Sequence, residues 1–307
     1  MKVIFMTGKG GVGKSTLAAA AAWQLSQKQR VLVVSLDPAH NLGDVFEVKL
    51  NERRHRVSSN LSLQEIDLQK IAREYLQKEV NVLTSTYKYL QTLNLENYFS
   101  ILKYSPGIEE YALLTSIEQI IRGEETFDII VFDTPPTGLT LRFLALPRVT
   151  LTWIERLRRI REQILEKRYT VCRLRGSLDT SETVLKYDPD EDEILRRLKN
   201  LQMNYRTLTA TLQGKETSFV LVFNPDVLSL RESERLIEGL KDLQLPLRLL
   251  VDNKVTEHNR EIADSVEETM KSLAPHVPLM RISLARTILE SKGQKLYDIH
   301  EDLASKL

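Results

Sequence analysis

The sequence predicts an α/β fold, a doubly wound and mostly parallel sheet carrying an inserted helical subdomain. Short apolar, β-branched runs recur between longer helical patterns, which is the alternation that βαβ units impose. One charge-rich stretch, Trp153–Leu212, departs from that alternation and reads as helix alone.

Lys2–Met6 is the first strand. It runs straight into Gly8-Lys9-Gly10-Gly11-Val12-Gly13-Lys14-Ser15-Thr16, and an alanine-rich helical stretch follows, ending near Gln29. Gly8, Gly13, Lys14 and Ser15 meet the GxxxxGK[ST] pattern of a phosphate-binding P-loop, with the required strand before it and helix after it. The glycines let the backbone N–H groups of Gly8 to Gly13, Val12 included, turn inward without Cβ clashes. They form an anion nest at the positive end of the helix. Lys14 is expected to reach β and γ phosphates, Ser15 to ligate Mg²⁺ and Thr16 to contact the α-phosphate. Lys9 has two readings, a solvated surface lysine or a cation that reaches phosphates held by a facing subunit.

Further strands are expected at Arg30–Leu36, Phe127–Phe132, Ser218–Phe223 and Leu247–Val251, with another candidate at Pro278–Ile282. Right-handed crossovers between them place the ligand site at the carboxyl ends of the strands. Leu68–Arg122 reads mainly as helices covering the sheet, broken by a turn at Ser105-Pro106-Gly107. In Trp153–Leu212 the first helix is crowded by Arg156, Arg158, Arg159, Arg161, Lys167 and Arg168, and an acidic cluster at Asp188–Glu193 marks a turn. Its helices read as charged rather than as bearing a broad apolar face. Residues 1–307 are taken as a single P-loop ATPase domain, with 68–122 as its helical cover and 153–212 as a client or partner surface.

Composition removes several classes. The 307 residues are 42% hydrophobic and 28% charged, and no run of eighteen apolar residues exists to span a bilayer. Gly8 and Lys9 end the N-terminal apolar run too early for a signal peptide, so a cytoplasmic protein is expected. With 43 basic and 42 acidic side chains the formal charge is +1, which implies no general attraction to nucleic acid. Cys172 is the one cysteine, so no intrachain disulfide and no CxxC zinc clip can form.

Two loops complete the expected site. Asp133 closes a strand in the Walker B arrangement, delivering a carboxylate to the Mg²⁺ region, and Thr134-Pro135-Pro136-Thr137-Gly138 suits a switch. The other switch candidate is Asp37-Pro38-Ala39-His40-Asn41-Leu42-Gly43-Asp44. There Asp37 could hold a Mg²⁺-bound water and Asp44 could orient or deprotonate the attacking water. His40 reads as a structural hydrogen-bonding residue before a catalyst.

Together GKGGVGKST at Gly8–Thr16, DPAHNLGD at Asp37–Asp44, PGIEE at Pro106–Glu110 and DTPPTGLTLRFLALP at Asp133–Pro147 resemble the family of ArsA and tail-anchored-protein targeting ATPases. This is a deviant-Walker, SIMIBI-like branch of the P-loop NTPases, and DPAHNL separates it from MinD and ParA. The resemblance implies ATP and Mg²⁺ as cofactors, a face-to-face homodimer in which Lys9 reaches the partner's nucleotide, and water activation by Asp44. Phe219–Leu240 resembles the family's strand and following helix. Asn253 falls where an adenine-reading asparagine is expected, although Asp252 precedes it where the family usually has an apolar residue.

The chain departs from the family in its cargo chemistry. A single cysteine cannot supply the thiolate set that binds arsenite, zinc is not expected, and Met203 is the only methionine in the insert where targeting factors have a methionine-rich groove. The expectation is a Mg²⁺-ATPase (ATP and water to ADP and phosphate) that switches a helical client-binding surface, its client a hydrophobic or membrane-protein segment. The alternatives are a nucleotide-dependent holdase with vestigial hydrolysis and a MinD/ParA-like organiser. The last lacks a basic amphipathic tail, because Asp298, Glu301 and Asp302 stand in the C-terminal segment.

Overall fold

Three phenylalanines stacked across adjacent strands fix the register of the sheet. Phe5 on β1 (Lys2–Gly8) pairs in register with Phe132 on β5 (Ile129–Asp133) and with Phe219 on β6 (Thr217–Phe223). The ring centroids are 5.0 and 4.7 Å apart and the planes nearly parallel. The computed structural model describes residues 1–37, 41–51, 53–86, 107–123, 126–175, 188–284 and 295–307. Pro38, Ala39, His40, Ser105 and Pro106 therefore lie outside the described residues.

Among these residues eight strands form one sheet in the order β3-β4-β2-β5-β1-β6-β7-β8. The outer members are β2 (Val31–Ser35), β4 (Leu61–Glu65), β7 (Leu247–Val255) and β8 (Leu279–Ser283). All pairings are parallel except that of β4 with β3 (His55–Arg56), an antiparallel edge that the sequence did not announce because β3 is two polar residues long. β1, β2, β5, β6, β7 and β8 fall where the apolar runs predict them, whereas β4 was not predicted, because Leu61-Ser62-Leu63-Gln64-Glu65 alternates apolar and polar residues and forms no continuous apolar run. β7 runs past the expected end at Val251 and so carries Asn253 and Lys254 within the strand.

Side chains alternate across a strand, so Ile4 and Met6 face away from the Phe5 stack, toward α1 (Lys14–Leu25). Ala18 to Ala22 of that helix are all fully buried. Burial on every side needs a second cover, and the C-terminal segment supplies it. Gln24 Nε2 donates to the Glu301 carbonyl at 2.8 Å, Gln24 Oε1 accepts from Ala304 N at 3.0 Å, and Tyr297 packs its ring on Trp23 and Phe46.

The described residues of the expected helical cover form α3 (Leu68–Thr86) and α4 (Ile108–Gly123), which meet through the Tyr75 and Tyr111 rings, 4.5 Å apart. Beyond the sheet core follow α5 (Thr137–Arg175), α6 (Glu193–Leu212), α7 (Val227–Asp242) and α8 (Arg260–Leu273). The chain divides into two compact units, Met1–Leu144 with Gln213–Leu307, and Ala145–Leu212. Trp153, the expected start of the insert, lies in mid-helix, because the helical pattern runs unbroken from Thr137 through Pro147.

In the smaller unit Arg161 clamps Asp192, with Nη2 2.6 Å from Oδ2, and Asp192 Oδ1 accepts from Leu195 N at the start of α6. The guanidinium hydrogen bonds hold the Asp192 carboxyl below its usual range. One reading of this unit is corrected. Its charges do not exclude an apolar face, because α5 segregates them. Val149, Trp153, Leu157, Ile160, Ile164 and Val171 are all more than a third exposed and recur at helical spacing on one side. Ile154 and Leu165 are buried on another. At 100° per residue, Arg156 and Lys167 border the exposed stripe while Glu155, Glu162 and Glu166 lie on the far side.

The alanine run makes a testable demand. Ala20→Leu forces extra volume into a helix with no exposed side and is expected to destabilise the protein by roughly 1–3 kcal/mol, read as a lower denaturant midpoint with unchanged slope.

Candidate nucleotide-binding site

Strand ends β1, β2, β5 and β7 deliver the site. Gly8 ends β1 with φ 145°, and a Cβ there would collide with the Val222 carbonyl oxygen of β6, so the P-loop leaves the sheet at a position only glycine can occupy. Gly13 opens α1 with φ 99° in the left-handed region, and its missing Cβ is where the Asn253 amide lies. Lys9, Gly10, Gly11 and Val12 lie between them, with Val12 buried. A Cβ on Gly10 would stand 3.7 Å from Pro136, which places the Thr134–Gly138 loop beside the P-loop. Thr134 fixes that loop by donating from Oγ1 to the Met6 carbonyl at 2.8 Å.

Lys14 is 5% exposed and its Nζ donates to the Lys9 carbonyl at 3.0 Å. Burial lowers its pKa, against the opposing pull of Asp133, Asp37 and Glu232. Asp133 is fully buried, and burial pushes its carboxyl up to about 7, although Ser15 and the Lys14 charge offset part of the shift and Asp37 adds to it. The structure thus brings Lys14, Ser15, Asp37 and Asp133 together. Neither oxygen of Asp133 has a hydrogen-bond partner of good geometry, and the same holds for Ser35 Oγ, its register neighbour on β2, and for Thr137 Oγ1. Unpaired buried oxygens are costly, and a carboxylate beside a serine hydroxyl is a donor set that suits a hard divalent cation.

Asp44 stands apart. It is exposed on α2 (Asn41–Phe46), whose Leu42, Val45 and Phe46 are buried, and the hydrogen bonds of the described residues do not join it to the Asp133 group. Ser15 and Thr16 are half-buried at the start of α1. Lys9 forms a loose ion pair with Asp226, 3.8 Å away, while Asp226 caps α7 by accepting from Ser229 N at 2.7 Å. Asn253, expected to read adenine, lies under the P-loop, where its Nδ2 donates to the Val12 carbonyl at 2.8 Å.

Lys254 was not singled out from the sequence. Its Nζ donates to the Gly11 carbonyl at 2.7 Å and its φ is 62°. The available signal was weak, a lysine beside Asn253 after a strand, and only the β1-β6-β7 adjacency gives it meaning.

Comparison with known proteins agrees with this geometry. The model of the family described as anion-transporting ATPase (ArsA) matches residues 1–273. The chain belongs to the anion-transporting ATPase family. It is 32% identical over 261 residues to a protein of Aquifex aeolicus (strain VF5) named "Putative arsenical pump-driving ATPase 2", covering 84% of this chain and 82% of the relative. It is 33% identical over 247 residues to "Putative arsenical pump-driving ATPase 1" of the same organism, covering 76% of this chain and 58% of that one. An eight-stranded, mostly parallel sheet with helices between its strands fits this ATPase family. No helix among the described residues is long and apolar enough to cross a membrane.

Within this family the departure at Asp252 has a physical account. Asp252 is fully buried and its oxygens lack hydrogen-bond partners of good geometry. Burial and then the Glu267 carboxylate push it up to about 8. Glu267 itself is held by Arg281, whose Nε is 2.6 Å away and whose Nη2 also binds Asp264. At neutral pH Asp252 is mostly uncharged, close in character to the apolar residue expected there. An unfolded aspartate titrates near ~3.9, so the folded chain retains a proton that the unfolded chain loses between that pH and about 8. The stability from this group is therefore full below the unfolded pKa and falls as pH rises toward the folded one. In Asp252→Asn, denaturant midpoints measured at pH 5 and pH 8 should differ less than in the parent.

Proposed function

We propose that this chain is a Mg²⁺-dependent ATPase that hydrolyses ATP between two face-to-face copies and uses the cycle to switch a helical client surface. The observation that carries this reading is the P-loop with a buried, unpaired Asp133 beside Ser15 and Lys14. Ser15, Asp37 and Asp133 would hold the cation, which would supply positive charge against the negative charge that develops during phosphoryl transfer.

The backbone amides of Gly8 to Gly13 cradle the phosphates, Thr16 reaches the α-phosphate and Lys14 moves from the Lys9 carbonyl to the β and γ oxygens. Asn253 keeps its Oδ1 side for the adenine, because Nδ2 is engaged with the loop. Lys9 crosses to the partner's nucleotide and stabilises charge on the transferred phosphoryl group. Asp44, exposed on the short helix α2, aligns the attacking water.

The relatives' names concern arsenicals. This chain's one cysteine, Cys172, is exposed, and a single thiolate does not make a metalloid site. The exposed apolar stripe of α5 instead supports an apolar helical client, with Arg156 and Lys167 at its borders favouring acidic flanks on that client.

Two measurements test the reading. Asp44→Asn should bind ATP within about threefold of the parent while turnover falls by roughly 10²–10⁴-fold, the range for a lost general base; unchanged turnover would remove Asp44 from its role. With that variant locked in ATP, Leu157→Asp should weaken binding of a fluorescent apolar helical peptide by at least about tenfold, as removal of a central apolar anchor does. Equal anisotropy titrations for both proteins would sink the client surface.

A further inference from the structure

We infer that Asn253 and Lys254 form a clamp that aims the amides of the P-loop at a bound triphosphate, with Lys254 as a positioning residue. The two side chains leave the end of β7 together and hold two consecutive carbonyls of the loop. Asn253 Nδ2 takes Val12 O at 2.8 Å and Lys254 Nζ takes Gly11 O at 2.7 Å.

In a trans peptide the C=O of one residue and the N–H of the next point in opposite directions. Holding the Gly11 and Val12 oxygens toward β7 therefore turns the N–H groups of Val12 and Gly13 to the other side of the loop. Among the described residues neither N–H donates to a protein acceptor. A third side-chain contact repeats the pattern, since Lys14 holds the Lys9 carbonyl and so turns out the N–H of Gly10. Lys14 is expected to leave for the phosphates, whereas Asn253 and Lys254 stay, being on a strand outside the loop.

The backbone at Lys254 supports a functional demand. Its φ of 62° lies in the left-handed region that lysine rarely adopts. Asn259 fixes this conformation, its Nδ2 donating to the Lys254 carbonyl at 3.1 Å and its Oδ1 accepting from Thr256 N at 2.7 Å. The bend sends the Lys254 side chain toward the loop. Gly13 completes the fit, because any side chain there would displace the Asn253 amide.

The inference rests on the nucleotide reading, and a ligand without a base separates the two. Calorimetric titration with magnesium tripolyphosphate and with ATP is compared for the parent, Asn253→Ala, Lys254→Met, Lys254→Arg and Lys254→Gly. Asn253→Ala and Lys254→Met should each bind both ligands about tenfold more weakly, the loss of one charge-assisted or buried hydrogen bond. Lys254→Arg should recover most of that loss. Lys254→Gly relieves the left-handed backbone, so its ligand-free melting temperature should equal or exceed the parent's while its tripolyphosphate affinity still falls. Tripolyphosphate affinities within twofold of the parent in Asn253→Ala and Lys254→Met would overturn the clamp, and ATP affinity lost alone in Asn253→Ala would make Asn253 a base reader only. A parent that binds neither ligand would overturn the nucleotide reading and the clamp with it.

Discussion

Everything at the site depends on the parallel register of β5, β1, β6 and β7. Met6 lies opposite Asp133, Gly8 opposite Val222, and Val222 opposite Val251. Those pairings bring the P-loop, the buried carboxylate and the Asn253-Lys254 pair to one end of the sheet from distant points in the chain. A shift of one residue in any strand would invert its faces. The Phe5 stack opposes such a shift on one face, and the alanines of α1 set the distance to the other.

That packing creates an electrostatic imbalance. Burial lowers the pKa of Lys14 and raises that of Asp133, so each buried group is pushed toward its neutral form and each is only partly relieved by the other. In the proposed reading a triphosphate and a divalent cation would bring the missing opposite charges to both. The buried oxygens of Asp133 and Thr137, which lack hydrogen-bond partners, are the atoms such a charged ligand would satisfy. Asp252 shows the contrasting solution, a buried carboxyl that keeps its proton.

Much of the sheet was legible because buried parallel strands are short apolar runs, and the P-loop was legible because its glycines, lysine and serine are contiguous. β3 and β4 were not, since His55 and Arg56 carry no apolar signal and owe their strand to β4, and Leu61–Glu65 alternates apolar with polar residues. The apolar stripe on α5 escaped a count of charges, because its meaning lies in the angle at which Trp153, Leu157 and Ile160 project, not in their number. Lys254 escaped for a topological reason. Its contact with Gly11 spans 243 positions and exists only because β7 ends two strands from β1.

The hold on Lys9 within the folded chain is weak. Its partner in the folded chain is Asp226, at 3.8 Å with both side chains substantially exposed. An ion pair of that kind contributes about 0–1 kcal/mol, and Asp226 retains its hydrogen bond from Ser229 N whether or not Lys9 is present. Charge-assisted hydrogen bonds to a phosphate are roughly twice as strong as neutral ones. Release of Lys9 from Asp226 therefore costs less than a phosphate contact returns. The pair holds the lysine near the loop entrance without trapping it, and the proposed crossing of Lys9 to a second subunit would need that weakness.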